Sequence, residues 1–420
     1  MSLHRIFRAR YVVSGLRLIK CRTDVLEDYS DRNDQEKQWR TSKRIGRESP
    51  WQVVGVLRPH TKLVAQVAAE LIRVDAGSNE MGLDSRKALG LALLMWLLAT
   101  ITLGLQTWIG DETIYSKGLE QQREEFHFAI LANKAPGGTT WGAVGALSIQ
   151  KRIGVVYLAE IIRKYTGLAI GKIYKLLDSV FLFISLLSLF FYLKKWVPDI
   201  YCLLGVLYFC AVLPLTYFFQ LFHPWDRLQL AIWIGLLYLV AERRFLPLAV
   251  GLVVSIFVKF DTILLPFFYF MVHFTNTQWR RTSIEALALL ALAFGTYSAL
   301  GQLFPAPLDA SHFTWNGAAT MLLSNARALM DMNVRYPPLL VHALPLFLSL
   351  FFLHSKDRFV RYSVAFALGL TAVYVLFSNY KEVRAHMVVL VLLLPSVLIS
   401  LRKVLERSRT EVASRNRMAC

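Results

Sequence analysis

The chain has 420 residues, 55% of them hydrophobic, and a formal charge of +18; its mean hydropathy is +0.44. Soluble domains average roughly 45–50% apolar residues, so composition argues against a soluble enzyme, and basic loops on one side of a bilayer explain the charge better than nucleic acid does. Cys21, Cys202, Cys210 and Cys420 fit neither a disulfide framework nor a zinc pattern.

Residues 1–87 carry seventeen Lys and Arg against eleven Asp and Glu and contain no run of spanning length. No apolar stretch follows the first basic residues, so no signal peptide is expected. The segment is either a basic cytoplasmic leader, disordered or lying on the membrane with residues 51–74 as a short amphipathic helix, or an upstream extension of a chain that starts at Met81.

Residues 88–401 read as a transmembrane bundle. Apolar runs able to cross ~30 Å of hydrocarbon recur along it, and their Leu, Phe and Ala content without strict alternation suits helices rather than barrel strands. The first span is expected at 88–108, entering from the cytoplasm behind Arg86 and Lys87. A long outer stretch follows, opening on Asp111-Glu112. Within it, residues 153–164 mix Val155, Val156, Leu158, Ala159 and Ile162 with Glu160, Arg163 and Lys164, which predicts an amphipathic helix along the interface.

Further spans are expected at 173–193, 200–220 and 228–241. Two short apolar segments, 245–258 and 263–274, flank Lys259-Phe260-Asp261-Thr262. Each covers only ~20 Å at helical rise, so the pair forms a half-depth hairpin or borders a cavity open to the outside. Spans at 283–303, about 339–353, 362–377 and 387–401 complete a count of about ten. Lys194-Lys195, Arg243-Arg244, Arg280-Arg281, Lys356/Arg358 and Arg402-Lys403 then all fall inside, with both termini cytoplasmic and residues 402–420 a basic tail.

This topology sends the remaining ionisable groups to the outer ends of spans: Asp111-Glu112, His223/Asp226/Arg227, Lys259/Asp261 and Lys381/Glu382/Arg384/His386. Charges near lipid are costly unless they face a shared interior or aqueous cavity. Each group also has a plainer reading. Asp111-Glu112 could end a helix in water, 223–226 could be an ordinary turn, Lys259 and Asp261 a structural ion pair, and 381–386 an interfacial cluster. Gathered together, they suit a phosphate-bearing lipid substrate. Lys259 and Arg384 would bind a phosphate or diphosphate. Asp111 or Glu112 would take a proton from an attacking hydroxyl, and a divalent cation such as Mg or Mn, held by Asp111, could neutralise the leaving group. His223, Asp226, Asp261, Glu382 and His386 would contact substrate. Trp141, Trp225 and Trp315 are candidate sugar-stacking residues by location.

In these elements the chain resembles the GT-C class of membrane glycosyltransferases. The resemblance covers about residues 83–401 and rests on the acidic pair Asp111-Glu112 after the first span, the amphipathic stretch before the second, the short-helix pair carrying Lys259-Phe260-Asp261, and Glu382-Val383-Arg384 opening a late span. It implies an all-α polytopic fold with amphipathic helices in the first outer loop. It also implies sugar transfer from a polyprenyl-phosphate donor to a cell-envelope glycan, lipid or protein at the outer face of a bacterial inner (plasma) membrane. The first-loop acid would act as base or metal ligand, and Lys259 and Arg384 as lipid-phosphate contacts. The chain departs from many members in lacking a large soluble domain after the last span and an oligosaccharyltransferase-like WWD element. The competing expectations are a polymerase or ligase acting on lipid-diphosphate glycans, a transporter and a non-catalytic scaffold. A transporter would place charges in mid-helix.

Overall fold

The computed structural model describes residues 85–113, 124, 127–132, 152–217, 225–304, 322–323, 325–327, 339–377 and 386–419. They form helices and the turns between them, with no strand among the described residues. In chain order the helices are α1 (Ser85–Thr113), α2 (Ile153–Thr166), α3 (Ile170–Lys194), α4 (Asp199–Val212), α5 (Asp226–Ala241), α6 (Phe245–Val258), α7 (Leu265–His273), α8 (Trp279–Leu303), α9 (Leu344–Leu350), α10 (Arg358–Phe377) and α11 (Met387–Ala419).

Among the described residues, six stretches are long and apolar enough to cross a membrane: Ser85–Gln106, Ile170–Lys194, Asp199–Thr216, Trp279–Leu303, Arg358–Leu376 and Met387–Ser408. Leu89, Leu246 and Ile284 point outward at 62%, 72% and 68% exposure. Such large exposed apolar side chains suit a surface solvated by lipid tails. The protein is a multi-pass helical membrane protein. About ten crossings were expected, the pair at 245–258 and 263–274 already as short segments; α5 has 16 residues, α6 14, α7 9 and α9 7, all short of the ~20 needed for a crossing. The expected span near 339–353 is broken. A π turn (Leu339–Ala343) leads into α9, and Phe352 takes a left-handed φ of 55° before a 3₁₀ turn at Leu353–Ser355.

The half-length pair forms where the sequence places it. At the break, Lys259 is extended (φ −164°, ψ 137°) and a 3₁₀ turn follows at Phe260–Leu264. Ser255 donates to the Leu252 carbonyl (2.7 Å) and accepts from the Thr262 hydroxyl (2.6 Å), closing the polar backbone of the break. Pro266 sits in the first turn of α7, where a missing N–H costs nothing. The Phe260 ring lies 3.9 Å from that of Tyr297 on α8.

The amphipathic stretch is helical, and α2 ends on Gly167 at φ 68°, whose N–H caps the Arg163 carbonyl at 2.8 Å. Gly154 lets α2 approach α6: a Cβ there would stand 3.1 Å from the Phe257 carbonyl oxygen. The polar face departs from expectation at Glu160. It turns inward at 8% exposure, accepting a fork of two bonds from Arg163 (2.7 and 2.8 Å) and facing His127 Nε2 at 3.1 Å. His127 Nδ1 in turn meets the Tyr174 hydroxyl at 2.9 Å. This chain clamps α2 to residues 127–132 and to α3.

The basic turns share one end of the bundle. Lys195 pairs with Glu242, Arg243 with Gln278, and Arg358 with the Phe274 carbonyl; Lys403 reaches Ser355 Oγ at 2.5 Å. Lys356 departs from the others. Expected as a solvated inner-loop charge, it is 5% exposed and donates to the Ser349 carbonyl (2.8 Å), Ser396 Oγ (2.7 Å) and Ser400 Oγ (2.7 Å).

Candidate functional site

The opposite end of the bundle holds a buried polar cluster. α5 begins there with Asp226, and its 16 residues carry the chain ~24 Å to the basic turn at 242–244. The break between α6 and α7 brings Lys259 to the same end. Its Nζ stands 3.5 Å from Asp226 Oδ1 and 3.6 Å from Asp261 Oδ2. Those are ion-pair separations, longer than the 2.7–3.2 Å of a formed N–H···O bond, so the ammonium is shared between the carboxylates without being bonded tightly to either. Asp261 is fixed from α5 instead: Gln229 Nε2 donates to its Oδ1 at 2.5 Å and Trp233 Nε1 at 3.2 Å. Gln229 and Trp233 lie one turn apart, so one face of α5 positions the carboxylate.

α1 reaches this end through Gln106, whose Oε1 accepts from the buried Arg227 guanidinium. Asp111 and Glu112 lie in the last turn of α1, about 8 Å further along its axis at ~1.5 Å per residue; their side chains fall outside the described residues.

α10 and α11 close the cluster. His386, fully buried, immediately precedes α11 and stacks on Tyr374 of α10 at 4.6 Å. Its Nδ1 lies 2.8 Å from His342 Nε2 in the π turn, and His342 Nδ1 lies 3.2 Å from Thr371 Oγ1. The Thr371 hydroxyl donates to the Ala367 carbonyl (2.8 Å), so its oxygen accepts from His342 Nδ1–H. His342 Nε2 then accepts from His386 Nδ1–H, which leaves the lone pair of His386 on Nε2. Burial holds the His386 imidazole well below its ordinary range, and His342 and Lys259 push it the same way, so it is neutral at pH 7. The Tyr208 hydroxyl, bonded to the Leu340 carbonyl at 2.7 Å, ties the π turn to α4.

Of the residues singled out by sequence, Asp226, Lys259 and Asp261 are in direct ionic contact and His386 is within their field. His223, Glu382, Arg384, Lys381, Trp141 and Trp315 lie outside the described residues. Trp225 is a packing residue rather than a sugar platform: it is 1% exposed, with the Arg152 guanidinium 5.0 Å from its ring centroid. Gln229, Trp233, His342 and Tyr374 were missed. Each sits alone in an apolar run, where a core residue is the ordinary reading; the one available signal was that Gln229 and Trp233 share a helix face with Asp226.

The Asp111 side chain, the metal ligand that the resemblance implies, lies outside the described residues. Among the described residues no three His, Cys, Asp or Glu groups converge, and the Lys259 ammonium stands between Asp226 and Asp261. A cavity of about 760 Å³ lies at the other end of the bundle, between residues 274–277 and the first turns of α10. No family model, curated protein or solved structure shows significant similarity to this chain.

Proposed function

We propose that the protein is a membrane glycosyltransferase that moves a sugar from a polyprenyl-phosphate donor to a cell-envelope glycan, lipid or protein at the outer membrane face. The observation that carries this reading is the Lys259 ammonium, loosely held between Asp226 and Asp261 at the end of the bundle opposite the basic turns. By the positive-inside rule that end is the outer one.

A phosphate entering between Lys259 and the span ends would meet an ammonium whose donors are not committed to short bonds. Asp226 and Asp261 keep that ammonium in place. Asp111 or Glu112, from the end of α1, takes the proton of the attacking acceptor hydroxyl as it bonds to the anomeric carbon and the bond to phosphate breaks. Arg384 is the second phosphate contact by sequence position. On this reading α2 is an interfacial helix beside the donor, and the short elements α5, α6, α7 and α9 complete a GT-C-like bundle around the site.

A transport reading is favoured by one feature, the polar break between two half-length apolar helices, since discontinuous helices line substrate paths in transporters. One experiment separates the two. Purified protein in nanodiscs is given a panel of radiolabelled polyprenyl-phosphate sugars with an envelope-glycan acceptor fraction. Transfer of label to the acceptor, lost in Lys259→Gln and kept in Lys194→Gln, is expected. Label that remains on polyprenyl phosphate with every donor, while the lipid-linked sugar crosses the bilayer of reconstituted vesicles, would replace transfer by transport.

A further inference from the structure

The cavity at the basic end has no place in sugar transfer, yet it is built as an anion site. One wall is the link between α7 and α8, carrying Thr275, Asn276 and Thr277; the other is Arg358, Arg361 and Tyr362 on the first turns of α10. We infer that this groove binds the phosphodiester headgroup of an anionic phospholipid.

Charge supports this first. The Arg358 guanidinium is oriented by its bond to the Phe274 carbonyl and by the Tyr362 ring, 5.3 Å away. Arg361 is exposed, and among the described residues its guanidinium has no partner. Among the described residues no carboxylate forms an ion pair with either guanidinium. Asp357 accepts the Phe359 N–H at 2.8 Å. Glu285 holds Arg281 at 2.8 Å and faces Arg243 at 3.7 Å. Two guanidiniums without an opposing acid make a forked phosphate cradle, and the Thr275 and Thr277 hydroxyls, 3.4 Å apart, add donors beside it.

Position decides between a lipid and a soluble phosphate. The groove sits where α10 leaves the apolar zone, at the level of the other basic turns, and its wall includes Phe274, which is 39% exposed. A headgroup seated on the arginines can lay its glycerol and chains along that apolar wall; a free phosphate would leave it bare. Basic recesses between helices at the cytoplasmic boundary suit such headgroups.

The test uses the full chain in detergent, titrated with phosphatidylglycerol, phosphatidylcholine or inorganic phosphate and read by native mass spectrometry and thermal unfolding. Phosphatidylglycerol should remain bound and raise the midpoint, while phosphatidylcholine and millimolar phosphate should not. Arg361→Gln, at an exposed position, should weaken phosphatidylglycerol about tenfold, as expected for one charge-assisted contact of ~1.4 kcal/mol. Arg281→Gln, at the same end but already paired with Glu285, should change it little. Equal losses in the two variants, or unchanged binding in Arg361→Gln, would overturn the site. Phosphate competing as well as the lipid would overturn the lipid assignment.

Discussion

His342 Nε2 and His386 Nδ1 face each other at 2.8 Å in the buried interior, so one proton lies between them and the protonation of each ring constrains the other. Removing the acceptor strands the His386 N–H in a dry site, which costs about 1–3 kcal/mol for an unsatisfied buried donor. His342→Phe should therefore lower the thermal midpoint of the detergent-solubilised protein and, on the proposed function, reduce sugar transfer. His342→Gln offers a carbonyl acceptor and should recover part of both. Equal midpoints for the Phe variant and wild type would show that this contact is not formed in the folded protein.

Glu160 gives a stability effect at acid pH. The Arg163 fork and the His127 bond hold its carboxyl down at about 2, from an ordinary value of 4.5. A carboxyl lowered by folding stabilises the fold fully above its unfolded value, and that contribution is lost as pH falls through the folded one. Glu160→Gln should unfold a few degrees below wild type at pH 7, and the difference should shrink from about pH 4.5 downward, disappearing near pH 2. Burial lowers the His127 pKa against the pull of Glu160, so the imidazole is best kept neutral, with Nε2–H donating to Glu160 and Nδ1 accepting from Tyr174. A gap between the two proteins that stayed constant from pH 7 to pH 3 would contradict the clamp.

Lys356 gives a stability effect at alkaline pH. Burial, with a smaller push from Lys403, lowers its pKa from 10.5 to about 8, a difference of about 3 kcal/mol at most. Between those values the unfolded chain binds more protons than the folded one, so stability rises as pH climbs from 8 towards 10.5. Lys356→Met should abolish that rise. Ser396 and Ser400 keep their own acceptors, the Ser349 and Phe351 carbonyls at 2.8 Å each, so the variant should still fold at pH 7. Unfolding scans of both proteins from pH 7 to pH 10.5 check this, and parallel curves would count against a buried ammonium.

The features legible in the sequence are those written in runs of many residues. The long spans, the half-length pair around Lys259 and the amphipathic helix expected at 153–164 follow from hydrophobic length and period, and the basic turns follow from blocks of Lys and Arg. Charge blocks say which ends meet, but not which single charge is drawn inside. Lys356 and Glu160 look like surface residues because what buries them, Ser396 and Ser400 for one and His127 and Tyr174 for the other, is distant in the chain. His342 and Gln229 were hidden for the converse reason, a polar residue in an apolar run being indistinguishable from a satisfied core residue until its partner is placed. The shortness of α5 was legible too: the turn residues at 223–227 and the block Glu242-Arg243-Arg244 bracket its apolar run on either side.

The ion pair of Lys259 with Asp226 and Asp261 separates folding from function. All three groups are at most 14% exposed, so Lys259→Met leaves two carboxylates close together with no cation between them, and breaking a buried pair in this way costs about 3–5 kcal/mol. Neutralising one acid as well, in Lys259→Met/Asp226→Asn, removes most of that penalty, because Asp261 keeps its bonds from Gln229 and Trp233. The single variant should be poorly folded and the double variant should recover a midpoint near wild type. If Lys259 only holds the bundle together, recovery of the fold brings recovery of transfer. If it binds donor phosphate, the refolded double variant remains inactive, with Lys259→Arg retaining partial activity. A double variant that regained both stability and transfer would reduce the cluster to a structural ion pair.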